Sequence, residues 1–204
     1  MIINHFIDPF PYILIDNFYN SEELELIWEE LNFLCYPNKL QPPTQTHSAV
    51  DSEGKCLKQN SSIFLEQVYS DRNASSILNV NRKIFNHFEE VFENSPSWFF
   101  NTFSCNHDYT LISYYENSNH YKKHPDLAFV TMLTWFFKEP KSFCGGDLNF
   151  YCGDQVVPVD LKNNRCAIFP SSIEHSVEKV YMDENMCNKK LGRFCMTQFF
   201  HKIP

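Results

Sequence analysis

Residues 108–137 read DYTLISYYENSNHYKKHPDLAFVTMLTWFF. Two runs rich in aromatic and β-branched residues, DYTLISYYEN and LAFVTMLTWFF, flank a polar stretch that contains the turn-forming triplet NSN. Runs of that kind, punctuated in that way, are short strands joined by turns. The same texture extends in both directions. SWFFNT lies upstream, and GDLNFY, QVVPVD, RCAIFP, HSVEKV and GRFCMTQFF follow, separated by EPKS, CGD and KNN. Eight short strands between residues 98 and 204 predict an antiparallel sandwich or barrel with helices packed outside one sheet, a mainly β fold with flanking helices (α+β).

The first half, 1–97, reads as helical support plus a loop, within one domain spanning 1–204. PYILIDNF is extended, and a helix follows it. Asn20 and Ser21 supply its cap, Glu22, Glu23 and Glu25 suit its positive first turn, and Leu24, Ile27, Leu31 and Leu34 form one face. From Cys35 to about Lys58 the chain is polar and carries Pro37, Pro42 and Pro43, which predicts a long lid-like loop. A second helical zone is expected over roughly 60–93, with Ile77, Ile84, Phe88 and Val91 in period.

Composition narrows the function. The 204 residues carry a net charge of −8, with 17 Lys and Arg against 25 Asp and Glu, and no basic stripe of the kind that binds phosphate backbones. No nucleic-acid partner is expected. No apolar run is long enough for a helical membrane span, and the segment MIINHFIDPFPYILIDNF has no basic n-region. The eight cysteines form no CxxC pair and read as reduced interior thiols, so the expected compartment is cytoplasmic.

The sharpest chemical feature is His124-Pro125-Asp126, the one HxD triplet in the chain. On an extended strand, positions i and i+2 face the same way, so imidazole and carboxylate converge. Taken alone, the triplet reads more readily as a strand-end His and a turn Asp. His175 supplies a second imidazole at the start of HSVEKV. Two His and one carboxylate make a facial triad that leaves coordination sites of an octahedral iron open for oxygen and a bidentate 2-oxo acid. Such a co-substrate with a second carboxylate needs a cation for it. Arg193, one of four arginines, stands in the last strand with the fork geometry that carboxylates match.

These residues carry a resemblance. YYENSNHYKKHPD (114–126) resembles the entry to the iron site in the prolyl 4-hydroxylase branch of the Fe(II)/2-oxoglutarate oxygenases, with Tyr115, Tyr121 and His124 at that branch's spacing. LAFVTMLTWFF, CGGDLNFY, VVPVDLKNNRCAIFPSSIEH and GRFCMTQFF are similar, in order, to the family's later strands, and PYILIDNFYNSEELELIWEEL to its opening strand and helix. The resemblance implies a double-stranded β-helix (jelly-roll) core. It implies that His124, Asp126 and His175 bind Fe(II), and that Arg193, helped by the Tyr115 hydroxyl, holds the distal carboxylate of 2-oxoglutarate. With O2 as co-substrate and ascorbate as a helper, it implies hydroxylation of a prolyl residue in a peptide or protein, with succinate and CO2 released. A hydroxylase of a free amino acid or other small molecule, and a non-catalytic jelly roll, are the alternatives.

The sequence departs from the family in places. MDENMCNKK lengthens the interval between His175 and Arg193, and Cys195 stands where many relatives carry a small residue. Nucleic-acid demethylases of the superfamily have a second Arg where this chain has Phe199. Tyr121, Trp135, Lys58 and Asn60 are the candidate substrate contacts. Trp135 reads also as a core aromatic, and Lys58, Asn60 and Phe64 close the polar loop. Tyr114, Thr131, Thr134, Gly145 and Gly146 read as structural. His5, His47, His87, His107, His120 and His201 have no partner at ligand spacing.

Overall fold

The computed structural model describes residues 1–35 and 39–203, so Pro37 of the expected loop lies outside the described residues. The strands, in chain order, are β1 (Ile2–Phe6), β2 (Tyr12–Asp16), β3 (Lys58–Gln59), β4 (Ser61–Phe64), β5 (His107–Tyr115), β6 (His120–His124) and β7 (Val130–Phe136). Then come β8 (Phe143–Gly145), β9 (Leu148–Cys152), β10 (Gln155–Val159), β11 (Arg165–Pro170), β12 (Glu174–Val177), β13 (Val180–Met182) and β14 (Arg193–His201). A seven-stranded sheet runs β1-β2-β11-β7-β14-β5-β4, and a five-stranded sheet runs β10-β9-β12-β6-β3. A small β13-β8 pair stands apart, and the ladders are antiparallel.

Alternation explains why the seven-stranded sheet is apolar on both faces. Leu133 and Trp135 of β7, Ala167 and Phe169 of β11, and Cys195 of β14 point between the sheets, where they meet Leu148, Phe150 and Val177 of the five-stranded sheet. Met132 and Phe136, Cys166 and Ile168, and Phe194, Met196 and Phe200 point the other way, onto the helices. This is the expected jelly roll with helices on one sheet.

The main helix, α1 (Ser21–Leu34), starts with a capping box. The Asn20 side chain accepts from the Glu23 N–H, and the Glu23 carboxylate accepts from the Asn20 N–H. Ile27, Leu31 and Leu34 are buried against the sheet, and Leu24 packs partly against it. Asn164 ties this entry to the core, since its side chain accepts from the Tyr19 N–H at 2.9 Å and donates to the Tyr19 carbonyl at 2.7 Å.

Several sequence expectations are corrected. The zone 60–93 is not continuously helical. Residues 58–64 are β3 and β4, which join one strand to each sheet, and the remainder is short pieces at Leu65–Val68, Ser76–Val80, Lys83–Asn86 and Glu89–Glu93. The face is right, because Ile77, Ile84 and Val91 are fully buried, but the helix is broken. Asn81, buried at the break, binds Arg72 and Thr110 with its side chain and takes a long bond from Gln198 on its carbonyl. SWFFNT is not a strand either, since Trp98–Asn101 is a single helical turn. The sequence reading missed β1, β3, β4, β6, β8 and β13, most of them too short or polar to show a period.

Candidate functional site

His124 is the last residue of β6, and His175 lies directly opposite it on β12. Their ring centres are 4.4 Å apart. Asp126 is not on the strand with His124, as the simple i, i+2 reading required. It sits in the loop after β6, anchored by its own N–H to the Ser171 carbonyl at 2.9 Å. There its carboxylate comes 3.6 Å from His124 Nε2 and 3.5 Å from His175 Nε2. Loop closure, not strand pleat, makes these groups converge.

Each imidazole is held in one tautomer. His124 Nδ1 lies 2.7 Å from the Lys122 carbonyl, and His175 Nδ1 lies 2.9 Å from the Ile173 carbonyl. A carbonyl only accepts, so both Nδ1 atoms carry a proton, which leaves Nε2 as the atom each ring can offer to a metal. Burial, reinforced by His175 and Lys58, lowers His124 to about 3, so its ring is neutral. Thr131 donates to Asp126 at 2.8 Å and also meets the Ser171 hydroxyl at 2.8 Å. Two imidazole nitrogens and a braced carboxylate, with ligand atoms within 4.8 Å of one another, are a donor set for a divalent cation.

Deeper between the sheets lies Arg193. It is fully buried, and Nε, Nη1 and Nη2 all lack a hydrogen-bond partner among the described residues. Its guanidinium lies over the ring of Tyr115, its cross-strand neighbour, at 4.7 Å. A buried cation left without acceptors is costly unless something anionic enters. The same narrow chamber is lined by Arg193, Tyr115, Tyr121 and the three triad residues.

An outer cleft of about 380 Å³ opens onto this chamber. Residues 46–49 of the long loop form one wall, and Phe64, Tyr109, Leu127 and Phe199 give it an apolar lining. Tyr121 and Lys58 border both spaces. The Tyr121 ring stacks on His124 with centres 3.5 Å apart, and its hydroxyl accepts from the Ala49 N–H at 3.1 Å. Lys58 donates to the Thr46 carbonyl at 3.3 Å and to Ser62 at 3.1 Å, and burial lowers its ammonium to about 8.

Residues 110–201, which include the triad and Arg193, match the sequence model of the 2OG-Fe(II) oxygenase superfamily. These residues are a 2OG-Fe(II) oxygenase core. The oxygenase uses Fe(II), 2-oxoglutarate and O2, and its chamber fits them: the triad offers a metal three ligands, and Arg193 offers the co-substrate an unpaired fork. Iron held there, with its co-substrate, supplies the oxidation of an unactivated C–H bond.

No curated protein matches the chain in sequence. Among solved structures, a Trichoplax adhaerens prolyl hydroxylase in complex with a hypoxia-inducible-factor oxygen degradation domain peptide has a TM-score of 0.68 at 14% identity, over 94% of this chain and 83% of that one. A Pseudomonas putida prolyl-4-hydroxylase has a TM-score of 0.55 at 13% identity, over 95% and 93%. The α-ketoglutarate-dependent epimerase SnoN from nogalamycin biosynthesis has a TM-score of 0.58 at 12% identity, over 94% and 77%. At these identities the likeness shows a common fold, and the fold hosts more than one chemistry.

The structure places the remaining oxygenase candidates as follows. Trp135 is not in the cleft; it is wholly buried in the intersheet core, with its indole ring 5.9 Å from the Arg193 guanidinium. Asn60 is also buried away from the cleft, against the Tyr115 hydroxyl. Thr131 braces a triad residue rather than the co-substrate. The sequence reading passed over His47, Tyr109 and His201, which line the cleft. Alternation along β5 and β14, counted from Tyr115 and Arg193, puts Tyr109, Phe199 and His201 on the site's face.

Proposed function

We propose that this oxygenase hydroxylates a prolyl residue in a peptide or protein, consuming 2-oxoglutarate and releasing succinate and CO2. His124, Asp126 and His175 hold Fe(II), while Arg193 and Tyr115 receive the distal carboxylate. The observation that carries the reading is the outer cleft. It begins at Asp126, is lined mainly by aromatic and aliphatic side chains, and is roofed by the pinned loop segment 46–49. A prolyl ring is apolar and has no N–H to satisfy, so it suits the wall made by Tyr121 and Phe199, while the cleft accommodates flanking residues of an extended chain. The likeness to prolyl hydroxylases supports the same reading.

The test incubates the protein with Fe(II), 2-oxoglutarate and a library of proline-containing peptides, reading succinate and peptide mass together. One oxygen atom gained per succinate, in a peptide and not in free proline, is the expected result. Preference for free proline or another small molecule would replace the peptide substrate. Absence of succinate with any substrate would leave a non-catalytic jelly roll.

A further inference from the structure

The intersheet core holds a second orphan beside Arg193. The indole N–H of Trp135 is a donor that buried tryptophans ordinarily satisfy, and here it has no acceptor among the described residues. Trp135 is fully buried, so water does not serve it from the surface. It lies on β7 opposite Cys195 of β14, two residues along the same face from Arg193. Its ring centre is 5.9 Å from the Arg193 guanidinium carbon. The Trp135 indole and the Arg193 guanidinium are therefore neighbouring groups that between them hold four donor atoms without an acceptor among the described residues.

We infer that the Trp135 indole N–H and the Arg193 guanidinium together bind one carboxylate, the distal carboxylate of a five-carbon 2-oxo diacid. The inference rests on the oxygenase reading and adds a residue to it. A carboxylate has two oxygens and about four lone-pair sites, so it can satisfy the arginine fork and a third donor at once. With charge-assisted bonds of about 2.8 Å on each side, one carboxylate can reach both an indole and a guanidinium whose ring centre and carbon lie 5.9 Å apart. The specificity follows from the donor chemistry. A hydroxyl can donate or accept, whereas indole and guanidinium only donate, so a subsite built from these two groups rejects a terminal amide, whose N–H groups would face other donors.

The test uses the whole protein with Zn(II), a diamagnetic substitute for iron. Its three tryptophans give three indole N–H signals in a nitrogen–proton correlation spectrum, and Trp28→Phe and Trp98→Phe assign the Trp135 signal by elimination. Saturating 2-oxoglutarate should move the Trp135 signal downfield, while 2-oxobutanoate, which has the chelating end but no distal carboxylate, should leave it in place. In calorimetry, Trp135→Phe should weaken 2-oxoglutarate about tenfold and leave 2-oxobutanoate unchanged, as expected for one lost hydrogen bond to a charged group. A Trp135 signal that stays put while 2-oxoglutarate binds overturns the inference, as does one that moves equally with both acids. A wild-type protein that binds neither acid overturns the oxygenase reading itself, a different and recognisable failure.

Discussion

Arg193 and Tyr115 face each other across the β14–β5 ladder, with the guanidinium carbon 4.7 Å from the centre of the tyrosine ring. The ring supplies a cation–π contact but no acceptor for the guanidinium N–H groups, so the charge is packed yet unpaired among the described residues. Arg193→Met should therefore separate stability from binding. Removing an unpaired buried charge should leave the unfolding midpoint of the ligand-free protein unchanged or raised. Losing the partner of a buried carboxylate should weaken 2-oxoglutarate binding by about 2–5 kcal/mol, roughly thirtyfold to several thousandfold. Calorimetry with Mn(II) under nitrogen measures the second effect and a thermal scan the first.

His124→Ala should abolish succinate production and leave the fold, because the ring lines the inner chamber and its hydrogen bond to the Lys122 carbonyl stays within its own strand, linking no two strands. In the wild type, Mn(II) with 2-oxoglutarate at one hundred times its dissociation constant should stabilise by about 2.7 kcal/mol. At about 2–4 °C per kcal/mol for a chain this long, the midpoint should rise by about 5–11 °C. The variant should show no such rise, and an undiminished rise would remove His124 from the metal site.

Thr131 would act on a bound metal through Asp126, whose carboxylate accepts a hydrogen bond from its hydroxyl at 2.8 Å. Thr131→Val keeps the shape and deletes that bond. Its Mn(II) affinity should fall by about 10–100-fold, the usual cost of losing a partner behind a metal ligand. Thr131→Ser should restore most of it, which separates the hydroxyl from the packing. Titration followed by electron paramagnetic resonance gives both numbers.

Gly146 has φ +78°, and a Cβ there would lie 3.0 Å from Arg193 Cδ and 3.1 Å from Val180 Cγ2. Gly146→Ala should cost about 1–2 kcal/mol for the left-handed backbone alone. It should also push the Arg193 side chain and weaken 2-oxoglutarate more than 2-oxobutanoate. Equal binding of both acids to the variant and the wild type would show that the arginine has room to give.

Asp16 accepts from Arg165 through both Nε and Nη2, the latter at 2.8 Å, and this pair ties β2 to β11. The hydrogen bonds to Arg165 hold the Asp16 carboxyl below its usual range. A carboxyl lowered in the folded state contributes stability above its unfolded value, near pH 4, and loses it as the pH falls through the lower folded value. Asp16→Asn should destabilise the protein by about 1.5–3 kcal/mol at pH 7 and by much less near pH 2. Midpoints at the two pH values check this, and an equal loss at both would assign the effect to packing.

Much of the molecule was legible in the sequence because the signals are local. The capped helix from Asn20, the period-2 apolar runs and the HxD triplet each depend on residues near one another along the chain, and His175 and Arg193 were legible from the order in which they follow that triplet. The pieces that failed depend on distant partners. Residues 58–64 carry no strand period, and they are strands because β5 and β6 offer them edges. The helical face of Ile77, Ile84 and Val91 is real, yet Asn81 breaks the helix to bond Arg72 and Thr110.

By itself, then, the sequence determined which residues bring the chemistry: two imidazoles, a carboxylate and one arginine in a strand-rich half. Tertiary structure alone decided how they meet. His175 faces His124 because β12 pairs with β6 in that register, and Asp126 turns toward both because its N–H is tied to Ser171 in the turn between β11 and β12. The unpaired state of Arg193 and Trp135 has the same origin. A side chain's type shows what it can donate, but whether anything accepts depends on every strand packed around it, and that is a property of the folded core.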